Sequence, residues 1–544
     1  MEFNYKFKGE SSIQSSAGKV DMSFAPDLLR EPTYFSGLLN SKVPFREAIS
    51  VLHDIVVSDF RFKPKDKSDY KEWAKQQEDI WLAEYLEGSA DVEAKLKVVR
   101  KELEDVRRQK GEIMSPFYKA QREYFNYIYK HNREAWIVLD PVITVHPDEL
   151  FFECFSQDES SYGKLGCNYN VFKDLKDFKC GTTNVDYSAD LYNEFQKVRN
   201  YKETHFNIDP SGFEVHTTAE ESYKEVKIDV PESWVRGFLQ VSSAMTLPAH
   251  VFHLHPTDLY NICFILRRNK EKEGPRSIRF VLKPGKPVTL IFEPWNLELK
   301  CSRSVYEGNS ATEIRIWGRR RLLLLERLIP LAKGFKVVLL GSGLPSFFVA
   351  DLGDMNFTLG LSGWTANDWS QLGNFDLLAP RTQVDSLTMQ KVYTGLKETW
   401  TEPAPALAKR LGLDQHIVLG ALSAFTQAGR VIFDIHKGTY RIRELSRESL
   451  PLDKLRFANE REERARNLME AGNVRNVHTE AKDNLKQIKA TVKEKDKVYQ
   501  PVLLIDKDER LVKASCTCNF YTQNKLMQGP CEHILAARIA ENVN

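Results

Sequence analysis

Apolar residues recur at helical spacing over the first quarter of the chain. Phe45–Ile55 shows this spacing, and from about 66 to 135 the pattern predicts three helices in succession. The middle helix, 90–112, places Leu96, Val99, Leu103 and Val106 on one stripe and its charges elsewhere. We therefore expect an N-terminal mixed region at 1–135 with a helical arm, which either covers a sheet or binds a partner.

Between 136 and 385 the pattern changes to short apolar runs of β type. Ser277–Leu282 and Val288–Phe292 are two of them, and the turn signal Lys283-Pro-Gly285 separates them. Phe335–Leu340 has the continuous apolar character of a buried strand. The sequence thus predicts an α+β multidomain fold whose β-rich α+β body occupies 136–385.

Residues 386–445 carry a third pattern, in which three helices precede a β-hairpin. The predicted helices are Leu387–Glu398, 405–413 and 414–428, and the hairpin turns at His436-Lys-Gly438. The order resembles a winged helix-turn-helix, with Val418, Leu422 and Phe425 at its core spacing. We predict a winged-helix-like domain at 386–445.

The charge of this domain leaves its ligand open. Its third helix, Gln415–Gln427, would enter the major groove in the usual docking, yet it contains no Lys or Arg. Cations lie nearby, and the candidate nucleic-acid contacts are Lys409, Arg410, Arg430, Lys437, Arg441 and Arg443. DNA contact through the wing is therefore as well supported as a domain that docks a protein or is purely structural.

A charged stretch at 446–497 is predicted to be a helical linker. Its first part alternates Arg and Glu, whereas Lys482–Lys497 is rich in lysine. Lys486, Lys489 and Lys493 are the candidates for a basic patch beside the last domain. Charge runs are usually solvated faces, so this patch supports nucleic-acid binding only in combination with its neighbours.

The C-terminal end carries the pattern Cys516-Thr-Cys518, twelve residues, then Cys531-Glu-His533. Four soft ligands in two close pairs are what one tetrahedral zinc needs, and four protein ligands leave no position for a substrate. Two strands, Pro501–Ile505 and Arg510–Ser515, precede the first pair, and a helix follows His533. We expect a structural Zn²⁺ that stabilises a ββα unit too small to fold without it.

These residues resemble the SWIM zinc finger, whose pattern is Cys-x-Cys, a variable gap and Cys-x-His. The resemblance covers 498–541 and implies a module that binds DNA or other proteins. The segment upstream, 306–378, resembles the corresponding region of bacterial SWIM-type proteins. Proteins of that layout accompany AAA-type ATPases and von Willebrand A-type proteins, so the resemblance implies such a partner.

Composition narrows the remaining possibilities. The 544 residues carry a formal net charge of +2, so any basic footprint must be local. Of the eight Cys, five lie outside the zinc motif, odd in number and scattered, which favours a reducing, cytoplasmic location. The start shows no apolar run of a signal peptide, and the longest run, Leu322–Leu325, is too short for a membrane.

The chain shows no persuasive catalytic set, and we expect a zinc-binding, non-enzymatic adaptor that docks a protein partner or DNA through its winged helix and SWIM-like finger. Neither a nucleophile elbow nor a phosphate-binding glycine loop is present. His250, His253 and His255 are the remaining candidates for a second metal site in the body. The alternatives to the adaptor are a sequence-tolerant nucleic-acid binder and an enzyme with its site at these histidines.

Overall fold

A computed structural model describes residues 33–58, 141–175, 178–184, 189–201, 203–209, 212–217, 232–271, 276–364, 368–370, 373–380, 384–445, 460–482, 485–495 and 497–543, together with strands at 11–16, 19–23 and 224–225. The chain divides into two compact units, and the described residues belong to the unit formed by Met1–Asp59 and Leu139–Asn544. The predicted helical arm falls in the other unit, Phe60–Val138, outside the described residues.

The N-terminal half alternates strands with four helices in the part of the chain that is described. Up to residue 225 the elements are β1 (Ser11–Ser16), β2 (Lys19–Ser23), β3 (Phe35–Leu39), α1 (Lys42–Val56), β4 (Val142–Val145), β5 (Glu149–Phe155), β6 (Ser161–Asn168), β7 (Phe172–Lys173), β8 (Gly181–Asn184), α2 (Ala189–Gln196), β9 (Thr204–Asp209), β10 (Gly212–Thr217) and β11 (Lys224–Glu225). They are followed by α3 (Glu232–Met245), β12 (His250–Leu254), α4 (Pro256–Arg268), β13 (Ser277–Leu282), β14 (Pro287–Phe292), β15 (Leu297–Val305), β16 (Thr312–Trp317), β17 (Gly334–Leu339), β18 (Ser346–Asp351) and β19 (Met355–Leu361).

The C-terminal part contains α5 (Ser386–Thr399), β20 (Thr401–Glu402), α6 (Ala404–Leu411), α7 (Gln415–Gln427), β21 (Val431–Asp434), β22 (Thr439–Ile442), α8 (Glu460–Glu470), β23 (Val474–Lys482), β24 (Leu485–Glu494), β25 (Lys497–Tyr499), β26 (Val502–Ile505), β27 (Leu511–Ser515), α9 (Asn519–Asn524) and α10 (Glu532–Val543). Short 3-10 helices occupy Tyr169–Val171, Arg319–Leu328 and Phe375–Leu378. No helix among the described residues is both long enough and apolar enough to cross a membrane.

An eight-stranded antiparallel sheet forms the centre of the body, in the order β12-β17-β18-β19-β6-β5-β4-β8. Strands β4, β5 and β19 are buried along their whole length, although β5 carries the two carboxylates Glu149 and Glu153. On one face, α1 packs closely over Gly163 of β6, where a Cβ would lie 2.8 Å from Ile55 Cδ1. On the other face, α3 packs against Phe155, whose ring centroid lies 4.7 Å from that of Phe238.

The predicted winged-helix-like domain contains α5, α6 and α7 followed by the hairpin β21–β22, and we call residues 386–442 the three-helix segment. That the segment is a winged helix stays a prediction, but the structure shows where its third helix lies. Helix α7 packs against α3 of the body. Of the positions that the helical spacing places outward, Leu419, Ser423 and Thr426 are buried, whereas His416 in the first turn is exposed. The body therefore covers the middle and the end of this helix and leaves only its start open to a DNA groove.

Buried ion pairs fasten the hairpin β21–β22 to the eight-stranded sheet. The guanidinium of Arg441 donates to Asp434 at 2.8 Å and to Asp148 at 2.7 Å. That of Arg443 donates to both carboxylate oxygens of Glu153, each at 3.2 Å. Both arginines are fully buried. The structure therefore removes Arg441 and Arg443 from the predicted nucleic-acid surface.

The prediction of a helical linker at 446–497 is right for α8 and wrong for β23 and β24. Ile488, Ala490 and Val492 are buried and alternate with Lys489 and Lys493, which are exposed. This period of two is that of a half-buried strand. The lysine content of the stretch hides that alternation.

The zinc-finger segment is consequently part of a larger assembly. Strands β26 and β27 belong to a five-stranded sheet in the order β23-β24-β26-β27, with β25 paired to β24. Helices α8 and α10 cover its inner face through Ala465, Leu468, Leu535 and Ala536, which pack with Val492. Leu377 of the body joins the same apolar cluster. The predicted hairpin is therefore not a free-standing unit.

Candidate metal centre

Three elements bring the C-terminal cysteines and histidine together. Cys516 directly follows β27, and Cys518 is the N-cap of α9, where its Sγ accepts a hydrogen bond from the Tyr521 amide at 3.4 Å. Cys531 precedes α10, and His533 lies in the first turn of that helix. The end of one strand and the starts of two helices thus carry the ligands, so regular secondary structure fixes the backbone position of each ligand residue.

The four ligand atoms match a zinc site in spacing and burial. The three sulfurs and the imidazole nitrogen all lie within 4.8 Å of one another. Zinc bonds of about 2.3 Å place the corners of a tetrahedron about 3.8 Å apart, so a small contraction closes the site. Cys516, the most accessible of the four, is only 8% exposed. Four protein ligands complete the tetrahedron, so the site suits a structural ion rather than a catalytic one.

The electrostatics of the cluster favour a cation. A hydrogen bond from Cys531 lowers the pKa of the Cys516 thiol to about 4, against the opposing effect of burial. The same hydrogen bond, together with burial, raises the pKa of Cys531. Burial also raises the pKa of Cys518. Burial thus opposes the ionisation of Cys518 and Cys531, and Zn²⁺ would supply the charge that holds all three sulfurs as thiolates.

The orientation of His533 is set by Glu494 and Tyr499. Nε2 of His533 lies 3.3 Å from Oε2 of Glu494, and the Tyr499 ring lies over the imidazole at a centroid distance of 4.1 Å. Nδ1 is buried and has no hydrogen-bond partner in the described part of the chain. Nδ1 is therefore the nitrogen left for the metal, and Glu494 has the position of an outer carboxylate that fixes a metal-bound histidine. Glu532 also lies within 4.8 Å of this pair.

The loop between the two ligand pairs is pressed onto the body. Gly529 has φ +83°, and a Cβ there would lie 2.6 Å from the Asn374 carbonyl oxygen, so the turn before Cys531 requires glycine. Arg461 of α8 donates to the Pro530 carbonyl at 3.1 Å and lies over the Phe520 ring. The metal centre is thereby coupled to α8 as well as to its own helix.

Residues 502–541 match the SWIM zinc finger family. The match includes all four ligands, which confirms the resemblance and the predicted Zn²⁺ cofactor on the geometry given above. No curated protein matches the chain. A proliferating cellular nuclear antigen from Entamoeba histolytica is similar in structure at 14% identity, over 41% of this chain and 89% of that one. Its TM-score of 0.31 is too low to carry an argument.

Most of the other predicted nucleic-acid contacts have partners within the protein. Three of them form ion pairs: Arg410 with Glu398 and Glu402, Lys437 with Asp148 and Glu149, and Lys486 with Glu509 and Glu541. Arg430 lies 5.6 Å from the centroid of the Tyr393 ring, whose face it covers. Lys409, Lys489 and Lys493 are exposed, and Lys489 lies 3.3 Å from Glu480. The last two lie on the SWIM finger's own sheet, on the face opposite α10.

The three histidines of the body are not brought together as a metal site. Among the described residues, the groups close enough to hold a metal are those around His533. His250 contacts the Tyr306 hydroxyl at 3.3 Å, whereas His255 caps α4 by accepting from the Thr257 amide at 3.2 Å. His253 and His255 line an open groove of about 780 Å³ on the other face of β12. An enzymatic role for this groove stays a prediction.

Sequence reasoning missed Glu494 and Tyr499 as supports of the metal ligand. Glu494 lies in the lysine-rich stretch that we predicted to be a linker, and Tyr499 lies just before the strand that we predicted at Pro501–Ile505. The pairing of Val492 with Tyr499 turns the tyrosine ring to the inner face of the sheet, toward His533. The alternation of apolar residues in β24 was the signal that could have found them.

Proposed function

We propose that this protein is a zinc-dependent, non-enzymatic interaction protein that docks its partner through the SWIM finger. The observation that carries the proposal is the closed site of three cysteines and one histidine, all buried and within 4.8 Å of one another. A closed site orders a surface and performs no chemistry of its own. The role of the zinc is to hold β27, α9 and α10 in one arrangement.

The proposal places docking in the finger rather than in the three-helix segment. Helix α7 is covered by α3, and the hairpin beside it uses Arg441 and Arg443 to bind the body. The finger's five-stranded sheet, in contrast, keeps one face toward solvent. The partner is a protein or DNA, and the resemblance to bacterial SWIM-type proteins makes an AAA-type ATPase or a von Willebrand A-type protein the partner class to test first.

Zinc analysis combined with affinity capture tests the proposal. Full-length protein, its Cys518→Ser variant and a Cys180→Ser control are purified from native lysate, and metal content and bound proteins are measured. Cys180 is a partly buried cysteine outside the metal site, so its variant controls for the loss of a thiol.

We expect one zinc per chain in the wild type and the control, and none in Cys518→Ser. Bound partners should be lost with the zinc. A wild type without zinc, or a zinc-free variant that keeps every partner, would refute the proposed function.

A further inference from the structure

The five-stranded sheet has an outer face, opposite α8 and α10, that the register defines. Lys489 of β24 lies opposite His478 of β23 and Val502 of β26, and Val502 lies opposite Ser515 of β27. Because side chains alternate along a strand, Lys493 shares this face with Lys489. Val492, between them, points inward and packs with the helices.

Cations dominate this outer face. Arg475, Lys489, Lys493 and Lys513 are all exposed there, since Arg475 lies opposite Thr491 and Lys513 opposite Leu504. The single carboxylate of the described outer-face residues is Glu480, which lies 3.3 Å from Lys489 and 3.1 Å from His478. Four cations thus face one acid in a chain whose whole net charge is only +2.

The arrangement matches a row of phosphates better than a protein. Residues four apart on a strand are separated by about 13 Å, and neighbouring strands by about 4.8 Å, so the cations form a shallow grid. The apolar residues of the described face, exposed Val498 together with Val502 and Leu504, are all aliphatic, so the face lacks the aromatic anchors that dominate protein interfaces. No aromatic side chain belongs to the described outer-face residues, so bases have nothing to stack on.

We propose that the outer face of the SWIM finger's sheet binds the phosphate backbone of duplex DNA, through Arg475, Lys489, Lys493 and Lys513. The inference rests on the proposed function, because zinc holds the sheet against α10. It makes DNA a ligand of the finger. Binding is independent of base sequence, since the cations meet phosphates rather than base edges.

Salt dependence gives the expected size of the effect. Four neutralised phosphates predict a slope of about −3.6 for log affinity against log salt, which is about a 150-fold loss between 50 and 200 mM salt. Removal of one contact reduces that loss to about 40-fold, since each phosphate contributes about 0.9 to the slope. Glu480 repels the backbone, so Glu480→Gln should tighten binding.

Fluorescence anisotropy with a 24-base-pair duplex of arbitrary sequence tests the proposal on full-length, zinc-loaded protein. The variants are Lys489→Gln, Lys493→Gln, Lys513→Gln and Glu480→Gln. Lys300→Gln is the matched control, an exposed lysine on β15 of the body. Zinc content and thermal unfolding of each variant show that the fold is intact.

We expect each lysine variant of the sheet to weaken binding and flatten the salt slope, and the control to behave as wild type. Equal slopes in wild type and in a variant that carries all three lysine substitutions of the sheet would overturn the inference, as would a loss confined to Lys300→Gln. Tighter binding of duplex RNA or of polyglutamate would also overturn it, in favour of those ligands. If the protein does not bind DNA but still captures its partners in a zinc-dependent way, this inference is refuted and the proposed function is not.

Discussion

Replacement of Arg443 by methionine should destabilise the protein and detach the three-helix segment. The Arg443 guanidinium is fully buried, contacts both oxygens of Glu153 at 3.2 Å and donates to the Ser242 hydroxyl at 3.1 Å. Its plane also covers the ring of Phe238. Without it, Glu153 keeps the Tyr162 hydroxyl at 2.7 Å as its hydrogen-bond donor but loses its cation.

The magnitude follows from that unpaired carboxylate. Removing one partner of a buried ion pair costs about 3–5 kcal/mol, mostly because the other charge stays buried. Replacing both partners by apolar residues of similar volume is often near neutral. We therefore expect Arg443→Met to cost about 4 kcal/mol, and Arg443→Met combined with Glu153→Leu to recover most of that loss.

Hydrogen exchange measured by mass spectrometry, together with urea unfolding, checks this expectation. Amides of α7 and of the hairpin β21–β22 should lose protection in the single variant and regain it in the double variant. Zinc content should not change. A loss below about 1 kcal/mol, or a double variant no more stable than the single one, would refute the reasoning.

Three further outcomes can be measured. Removal of zinc, or Cys518→Ser, should make the whole of 460–543 sensitive to trypsin, because α8 and β24 share a core with α10. Cleavage confined to residues after 502 would contradict this expectation. Glu494→Gln should weaken zinc binding about tenfold in a competition assay with a chromophoric chelator, while Lys495→Gln, an exposed neighbour, should have no effect. Burial, aided by the charge of Arg441, lowers the pKa of His146 from 6.5 to about 4, so the unfolded chain takes up its proton first as the pH falls. The stability that neutral His146 contributes is thus complete above pH 6.5 and declines by about 3 kcal/mol toward pH 4. In urea unfolding at pH 7 and 4.5, His146→Gln should abolish this decline. An unchanged pH dependence in that variant would exclude the explanation.

The zinc ligands could be predicted from sequence because the chemistry of the site is local. Two short Cys/His pairs specify a tetrahedral site almost by themselves, and the strands before Cys516 and the helix at His533 are readable from neighbouring residues. The same holds for the order of helices and hairpin in the three-helix segment, where apolar spacing and caps suffice.

The roles of Arg441 and Arg443 could not be predicted in this way. Their partners Asp148 and Glu153 lie about 290 residues earlier in the chain, and no local pattern reports a pairing over that separation. An arginine beside a predicted wing is equally consistent with a phosphate contact and with a buried ion pair. Composition also misled us at Lys489 and Lys493, where lysine content suggested a linker although the alternation of buried residues indicates a strand.

Buried Arg443 also constrains the order in which the protein can fold during its synthesis. Glu153 occupies the fully buried strand β5, and its guanidinium partner is translated 290 residues later. A nascent chain that has reached residue 385 already holds every strand of the central sheet, and Lys164 of β6 lies 3.5 Å from Glu149 within that sheet. Glu153, in contrast, still lacks its cation at that stage. The N-terminal body therefore gains its full stability only after residue 443 has left the ribosome.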